Sequence, residues 1–287
     1  MMSPTEENTK KKVPETRQEP SPEGALPSYI STLYSICQEE NIKFWLLSKN
    51  WLKRLEKNGQ VRFIVGRKFD LNPAGAGKIA DDKYATFAVL SDQGLPIIEH
   101  ALIYPSTNQQ EWAIGCNSVA YAERFWASHN RSIVIKPNAG TLSHGVVWIR
   151  EREQLPIALA EVFRWDNSAS MCPFYTIRNQ YRAVVLDDEV CLAYANADWL
   201  FNLGPRVENP EIDEPLRAQI SQLAKQAVRA MGLRFCTVDF IRTAEDELFI
   251  LEVNSGVMLD KYCRRFPEKY PEVKEIFRAA IRKMFAG

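Results

Sequence analysis

The sequence has no apolar run approaching the ~20 residues that span a bilayer, and no apolar stretch near its start that would direct secretion. Its six cysteines (Cys37, Cys116, Cys172, Cys191, Cys236 and Cys263) include no C-x-x-C pair, and no Cys/His spacing suits zinc. Histidine is scarce. His100, His129 and His144 are scattered, and no Ser/His/Asp signature of a triad hydrolase appears. Neither G-K-[ST] nor G-x-G-x-x-G occurs, which removes the P-loop and the dinucleotide fingerprint. Charge of either sign is not in excess, with 36 Lys+Arg against 36 Asp+Glu, so a general nucleic-acid or membrane-surface binder is disfavoured. There is no internal repeat. Single cysteines among apolar neighbours read as reduced and buried, and a cytoplasmic address is expected.

What is present begins with a polar stretch. Residues 1–27 are rich in Pro, Glu, Lys and Ser and are expected to form a disordered tail. Helical spacing of Tyr29, Ile30, Leu33 and Ile36 predicts a helix, followed by a strand over 42–47. A second helix is expected over 49–57, ending at Asn58-Gly59, then a strand over 61–65. These two α-β units imply a short N-terminal α/β lobe over 28–80. Further on, the pattern predicts helices near 82–93, 117–129, 153–164 and 216–231, and strands at 133–136, 146–150, 181–186, 190–195, 235–242 and 248–254. A basic amphipathic helix closes the chain. The fold class is α/β, with α+β lobes over 81–175 and 176–287.

The most informative stretch is Cys236-Thr-Val-Asp-Phe-Ile-Arg242, a short turn, then Leu248-Phe-Ile-Leu-Glu-Val-Asn254. Both arms read as central strands, yet each carries a carboxylate. A loop over 244–247 puts Asp239 directly across from Glu252, with Asn254 on the same side as Glu252. Facing carboxylates repel, and each costs desolvation energy. Two arrangements relieve this: a hard divalent cation such as Mg²⁺, which takes carboxylate and amide oxygens, or arginine and lysine partners. The sequence leaves both open.

Two other segments suit anions. Lys136 ends a buried strand and precedes a loop with Gly140, Ser143 and Gly145, whose backbone can approach phosphate oxygens. Lys83, after Asp81-Asp82, opens a helix. Plain alternatives are a strand-to-strand turn and a surface lysine.

Taken in order, Asp82-Lys83…Thr86, Lys136-Pro137…Gly140…Gly145, Gln180-Tyr181-Arg182, Asp239-Phe240 and Glu252-Val253-Asn254 resemble the motif series of the ATP-grasp superfamily, over roughly 80–262. Within it the chain looks similar to carboxylate–amine ligases such as cyanophycin synthetase, bifunctional glutathione synthetase and ribosomal-protein glutamate ligases. The stretches Cys172–Arg182 and Asn254–Lys261 carry that placement. The resemblance implies an ATP-grasp fold and ATP as cofactor. It also implies one or two Mg²⁺ ions, with Mn²⁺ as an alternative, on Asp239, Glu252 and Asn254. By the same resemblance Lys83 and Lys136 contact phosphates under the 138–146 loop, and the backbone of Phe174, Tyr175 and Thr176 meets the adenine edge. Arg182 faces the transferred phosphoryl group, with Asn202 nearby. Gln180 stands where the family has a ribose-binding Glu. Ser255, Gly256 and Lys261 fall on the acceptor side.

The implied reaction is ADP-forming C–N ligation of a small acid and amine, an amino acid or peptide, through an acyl-phosphate. Two further readings stay open: a small-molecule kinase on the same fold, and a nucleotide-binding regulatory protein without catalysis. Many relatives form homo-oligomers, and nothing in the sequence marks an interface.

Overall fold

The computed structural model of the chain describes residues 27–108, 110–113, 115–139, 145–196 and 212–286. The chain groups into two compact units: the chain up to Asp70 together with Met258–Gly287, and Leu71–Val257. The C-terminal segment thus goes with the N-terminal one, where the sequence pattern predicts a single lobe over 176–287.

In the first unit, helix α1 (Tyr29–Glu39) starts at Ser28, whose hydroxyl accepts from Ser31 N at 3.1 Å. Strands β1 (Lys43–Leu47), β2 (Leu52–Lys57), β3 (Gln60–Val65) and β4 (Lys68–Phe69) follow as an antiparallel meander in sequential order. The helix expected over 49–57 is strand β2. Asn58-Gly59 is its hairpin turn, with φ of 51° and 79°, as a two-residue hairpin requires. The alternation of β2 is masked in the sequence because Lys53 occupies an inward position beside Leu55. Helices α7 (Asp260–Arg265) and α8 (Tyr270–Phe285) complete the unit. Val273, Ile276, Phe277, Ala280 and Ile281 are the buried face of α8. Phe277 meets Tyr29 edge-on at 5.5 Å and stacks on Phe69 at 5.9 Å. Glu39 pairs with Lys274 and Arg278, and Glu40 with Arg278 and Arg282, tying α1 to α8.

The second unit holds helices α2 (Ala74–Ala80), α3 (Lys83–Asp92), α4 (Val119–Ser128), α5 (Gln154–Val162) and α6 (Glu214–Met231). The sequence pattern assigns nothing at α2, a seven-residue segment with two glycines. Strands β5 (Ala101–Ile103), β6 (Ile133–Pro137), β7 (Val147–Ile149) and β8 (Ala169–Pro173) form one antiparallel sheet, in the order β5-β8-β6-β7. Strands β9 (Ile177–Leu186), β10 (Glu189–Ala195), β11 (Phe235–Thr243) and β12 (Leu248–Asn254) form another, in the order β10-β9-β11-β12. The apolar face of α6 (Leu216, Ile220, Ala224, Ala227, Val228, Met231) covers Tyr181, Ala183, Val185, Cys236, Val238 and Phe240 of the second sheet. Gly232, at φ 68°, ends α6 in the left-handed conformation that side chains resist. Burying one face of this sheet directs the alternate residues of β9, β11 and β12 to the other face, where the polar groups gather. Among the described residues no helix is long and apolar enough to cross a membrane.

Candidate functional site

The register of the second sheet lines up one polar row. Tyr194 on β10 pairs with Arg182 on β9, Arg182 with Asp239 on β11, and Asp239 with Glu252 on β12. The facing of Asp239 and Glu252 is the one expected from the hairpin. Asn254 joins them: its Nδ2 donates to Asp239 Oδ2 and to Glu252 Oε1, both at 3.1 Å. Arg182 takes Asp239 in a bidentate grip, Nε to Oδ1 at 2.5 Å and Nη2 to Oδ2 at 2.8 Å. The arginine partner left open by the sequence is therefore present for Asp239.

Electrostatics separate the two acids. Burial raises Asp239 to about 6, against the pull of Arg182 and with a further push from Glu252. For Arg182 burial also disfavours charge, but Asp239 outweighs it and holds the guanidinium above its usual range. The short bidentate geometry favours the ionised pair at neutral pH. Glu252 also loses solvation, yet Lys83, Lys136 and the Asn254 amide hold its carboxyl below the usual range. Glu252 is thus an anion facing two lysines.

Those lysines come from the other sheet and from α3. Asp82 caps α3 by accepting from Ala85 N at 2.8 Å, which puts Lys83 in the first turn. Asn138, buried at the end of β6, fastens this helix start. Its carbonyl accepts from Lys83 N and from Lys83 Nζ, both at 3.2 Å, and its side-chain Oδ1 accepts from Tyr84 N at 3.1 Å. Lys136 stands two residues earlier on β6 and is 8% exposed. Burial, then the neighbouring Lys136, bring Lys83 down to about 8. His100 lies beneath, 3% exposed, with Nδ1 2.5 Å from Ser170 Oγ. Burial and the two lysines keep it neutral. Asp166 accepts from Ala139 N at 2.7 Å and anchors the start of the glycine loop.

The remaining candidates fall as follows. Gly145 has φ 69°, and a Cβ there would lie 3.1 Å from Pro137 Cγ, so glycine is required. Gly140, Ser143, His144 and Asn202 lie outside the described residues. Phe174 stacks on Trp148 at 4.2 Å and its N–H donates to Ser132 O, while Thr176 O accepts from Ala244 N at 2.8 Å, so these two backbone groups of the expected adenine edge already have partners. Gln180 Oε1 is buried without a hydrogen-bond partner among the described residues, an acceptor suited to a ligand hydroxyl. Ser255 Oγ donates to Asp81 Oδ1 at 3.3 Å, with Gly256 next in the chain. Lys261 lies in α7, in the other unit.

Asn138, His100, Ser170 and Asp166 escape sequence reasoning. Only Asn138 has a visible signal, a polar residue held directly after the Lys136-Pro137 strand end. Among the described residues no group of three or more His, Cys, Asp or Glu could hold a metal. The donor set here is different: two carboxylates and an amide linked by 3.1 Å contacts, oxygen ligands of the kind Mg²⁺ takes. The residues fit that ion, with the amide turned to present Oδ1.

Residues 71–276 match a family model described as an ATP-grasp domain, the third family of its clade. A D-alanine–D-alanine ligase of Desulforudis audaxviator (strain MP104C) is 24% identical over 206 residues, 67% of this chain and 63% of that protein. This chain therefore spans less than two-thirds of that relative's length. Among solved structures, the D-alanine–D-alanine ligase of Bacillus anthracis aligns with a TM-score of 0.56 at 15% identity, over 76% of this chain and 72% of its own. A bifunctional glutathione synthetase from Pasteurella multocida aligns at 0.50 and 16% identity, over 88% of this chain and 44% of its own. At such identities the likeness is one of fold.

Proposed function

The chain belongs to the ATP-grasp family, and on that premise we propose that it is an ATP-dependent carboxylate–amine ligase acting on an amino acid or peptide. One observation carries the reading: Lys83, Lys136 and Arg182 converge on Asp239, Glu252 and Asn254 at the end of one buried hairpin. The substrate carboxylate oxygen attacks the γ-phosphorus of ATP and ADP leaves. The amine then attacks the acyl carbon and expels phosphate, forming the amide. Lys83 and Lys136 hold the phosphates. Arg182 engages Asp239 through Nε and Nη2, which leaves Nη1 to meet the phosphoryl group in transfer. Asp239, Glu252 and Asn254 would hold Mg²⁺, which would supply charge neutralisation at the phosphates. Gln180 Oε1 takes a ribose hydroxyl. A cytoplasmic setting is supported by six free cysteines, four of them buried.

The test is a phosphate-release screen with Mg-ATP across pairs of amino acids and short peptides, with products weighed by mass spectrometry. Release that needs both an acid and an amine, with a product lighter than their sum by one water, is expected. Release indifferent to both, or a phosphorylated hydroxyl, overturns the ligase reading.

Lys83 makes nucleotide affinity sensitive to pH. The protonated amine attracts phosphate, so affinity is expected to hold near pH 7 and to fall as pH rises through about 8. Calorimetry with a non-hydrolysable nucleotide at pH 7 and 9 is expected to differ by about tenfold, and Lys83→Gln to flatten the difference. Stability of the nucleotide-free protein moves the opposite way. Above pH 8 the unfolded chain binds more protons at this lysine than the folded one does, so folding gains there.

A further inference from the structure

The first unit contains a polar cluster that the chemistry above leaves unused. Lys53, on β2, is 3% exposed; its Nζ donates to Gly66 O at 2.8 Å and to Trp51 O at 3.4 Å. It stands 5.5 Å from the ring centroid of Tyr29, and the Arg67 guanidinium lies 3.8 Å from that same centroid. Arg67 Nη2 is 2.8 Å from Asp260 Oδ2, close enough for an ion pair but not aligned as a hydrogen bond. Three atoms here are buried without a hydrogen-bond partner among the described residues: Tyr29 Oη, Arg67 Nη1 and Asp260 Oδ2. These are most of the unpartnered buried side-chain atoms found in the described residues, and they sit together.

Charge is unbalanced as well. The cluster holds two cations and one carboxylate, Asp260 pairs with Arg67, and among the described residues no acid lies within ion-pair distance of Lys53. Burial, then Arg67, lower Lys53 only to about 8, so it remains an ammonium at neutral pH. A buried charge without a counter-ion is unfavourable, and so is each orphaned donor. A trapped water could bond the three atoms, but it would leave the extra positive charge in place. An anion resolves both.

We propose that Tyr29, Lys53, Arg67 and Asp260 form a binding site for a small carboxylate carrying a neighbouring ammonium. The carboxylate accepts from Tyr29 Oη and Arg67 Nη1 and neutralises Lys53, and the ammonium meets Asp260 Oδ2. One carboxylate paired with Arg67, beside a tyrosine ring flanked by Arg67 and Lys53, matches a zwitterion better than a phosphate, which would crowd a third anionic oxygen against Asp260. The site goes beyond the nucleotide chemistry and is testable without ATP.

The full chain is titrated at fixed ionic strength with glycine, with sodium acetate and with sodium phosphate, read by calorimetry and by thermal shift. Glycine is expected to bind saturably and to raise Tm, and acetate to bind about tenfold more weakly because it lacks the group that meets Asp260. Tyr29→Phe and Arg67→Met are each expected to weaken glycine by about tenfold. Lys136→Met, in the other unit, is expected to leave glycine binding unchanged. Tyr29→Phe removes one oxygen from a packed ring and keeps the proposal testable if Arg67→Met fails to fold. No saturable glycine binding across the millimolar range, equal binding by Tyr29→Phe, or a preference for phosphate overturns it.

Discussion

Glu252→Gln is expected to reduce ATP-dependent turnover by about 10³-fold or more while leaving the protein folded. The change keeps the shape of the side chain and removes one negative charge. In the nucleotide-free protein that charge balances Lys83 and Lys136, and with nucleotide bound it is the carboxylate that would share Mg²⁺ with the phosphates. A neutral amide is a weaker ligand for a hard cation and lets the lysines repel each other, so turnover and metal affinity fall together. Stability is expected to change by about 1 kcal/mol or less, because Glu252 is only partly buried and its Asn254 contact survives in altered form. Coupled ADP release and a urea melt measure the two effects side by side. Turnover within tenfold of the parent would remove Glu252 from the metal set.

How much of this is legible in the sequence depends on how locally each feature is encoded. The hairpin is legible in outline. Asp239 does face Glu252 as expected, but the strands pair Arg242 with Leu248, one residue off the register that a 244–247 loop sets, and a bulge between Asp239 and Phe240 brings the two acids back into line, which no sequence pattern reports. Whether the acids meet a cation or an arginine is a choice the sequence poses, and the structure divides it. Arg182 grips Asp239, while Glu252 is left to the lysines and Asn254. That outcome depends on β9 lying next to β11, a pairing across more than fifty residues that no local pattern reports. Asn138 and His100 are illegible for the same reason, since their roles exist only once β6 abuts α3 and β8 abuts β5. The N-terminal lobe fails differently. Lys53 at an inward position breaks the strand pattern, and Asn58-Gly59 reads as a helix end although its two positive φ angles are those of a tight hairpin. The lysine that spoils that reading is the one proposed to meet a carboxylate.

Arg182→Leu is expected to do two separable things. It removes the group that meets the transferring phosphoryl, so turnover falls by about 10²–10³-fold. It also strips Asp239, 2% exposed, of its bidentate partner, which is expected to cost about 3–5 kcal/mol in the nucleotide-free protein. Asp239 can escape part of that cost by taking a proton. Burial already raises it to about 6, and Arg182 is the largest influence holding it down, so without Arg182 it protonates at still higher pH. A carboxyl whose folded pKa lies above its unfolded value stabilises the fold below that range and loses this contribution as pH rises. The deficit of Arg182→Leu is therefore expected to be smaller at pH 5 than at pH 8 in denaturant melts. Adding Asp239→Asn to Arg182→Leu replaces the unpaired carboxylate by a neutral amide, and this double variant is expected to recover most of the lost stability at pH 8 while turnover does not recover. Recovery of stability without activity separates the pair's part in the fold from its part in phosphoryl transfer. A double variant as unstable as Arg182→Leu alone would mean that the guanidinium supports the sheet through packing and not through Asp239.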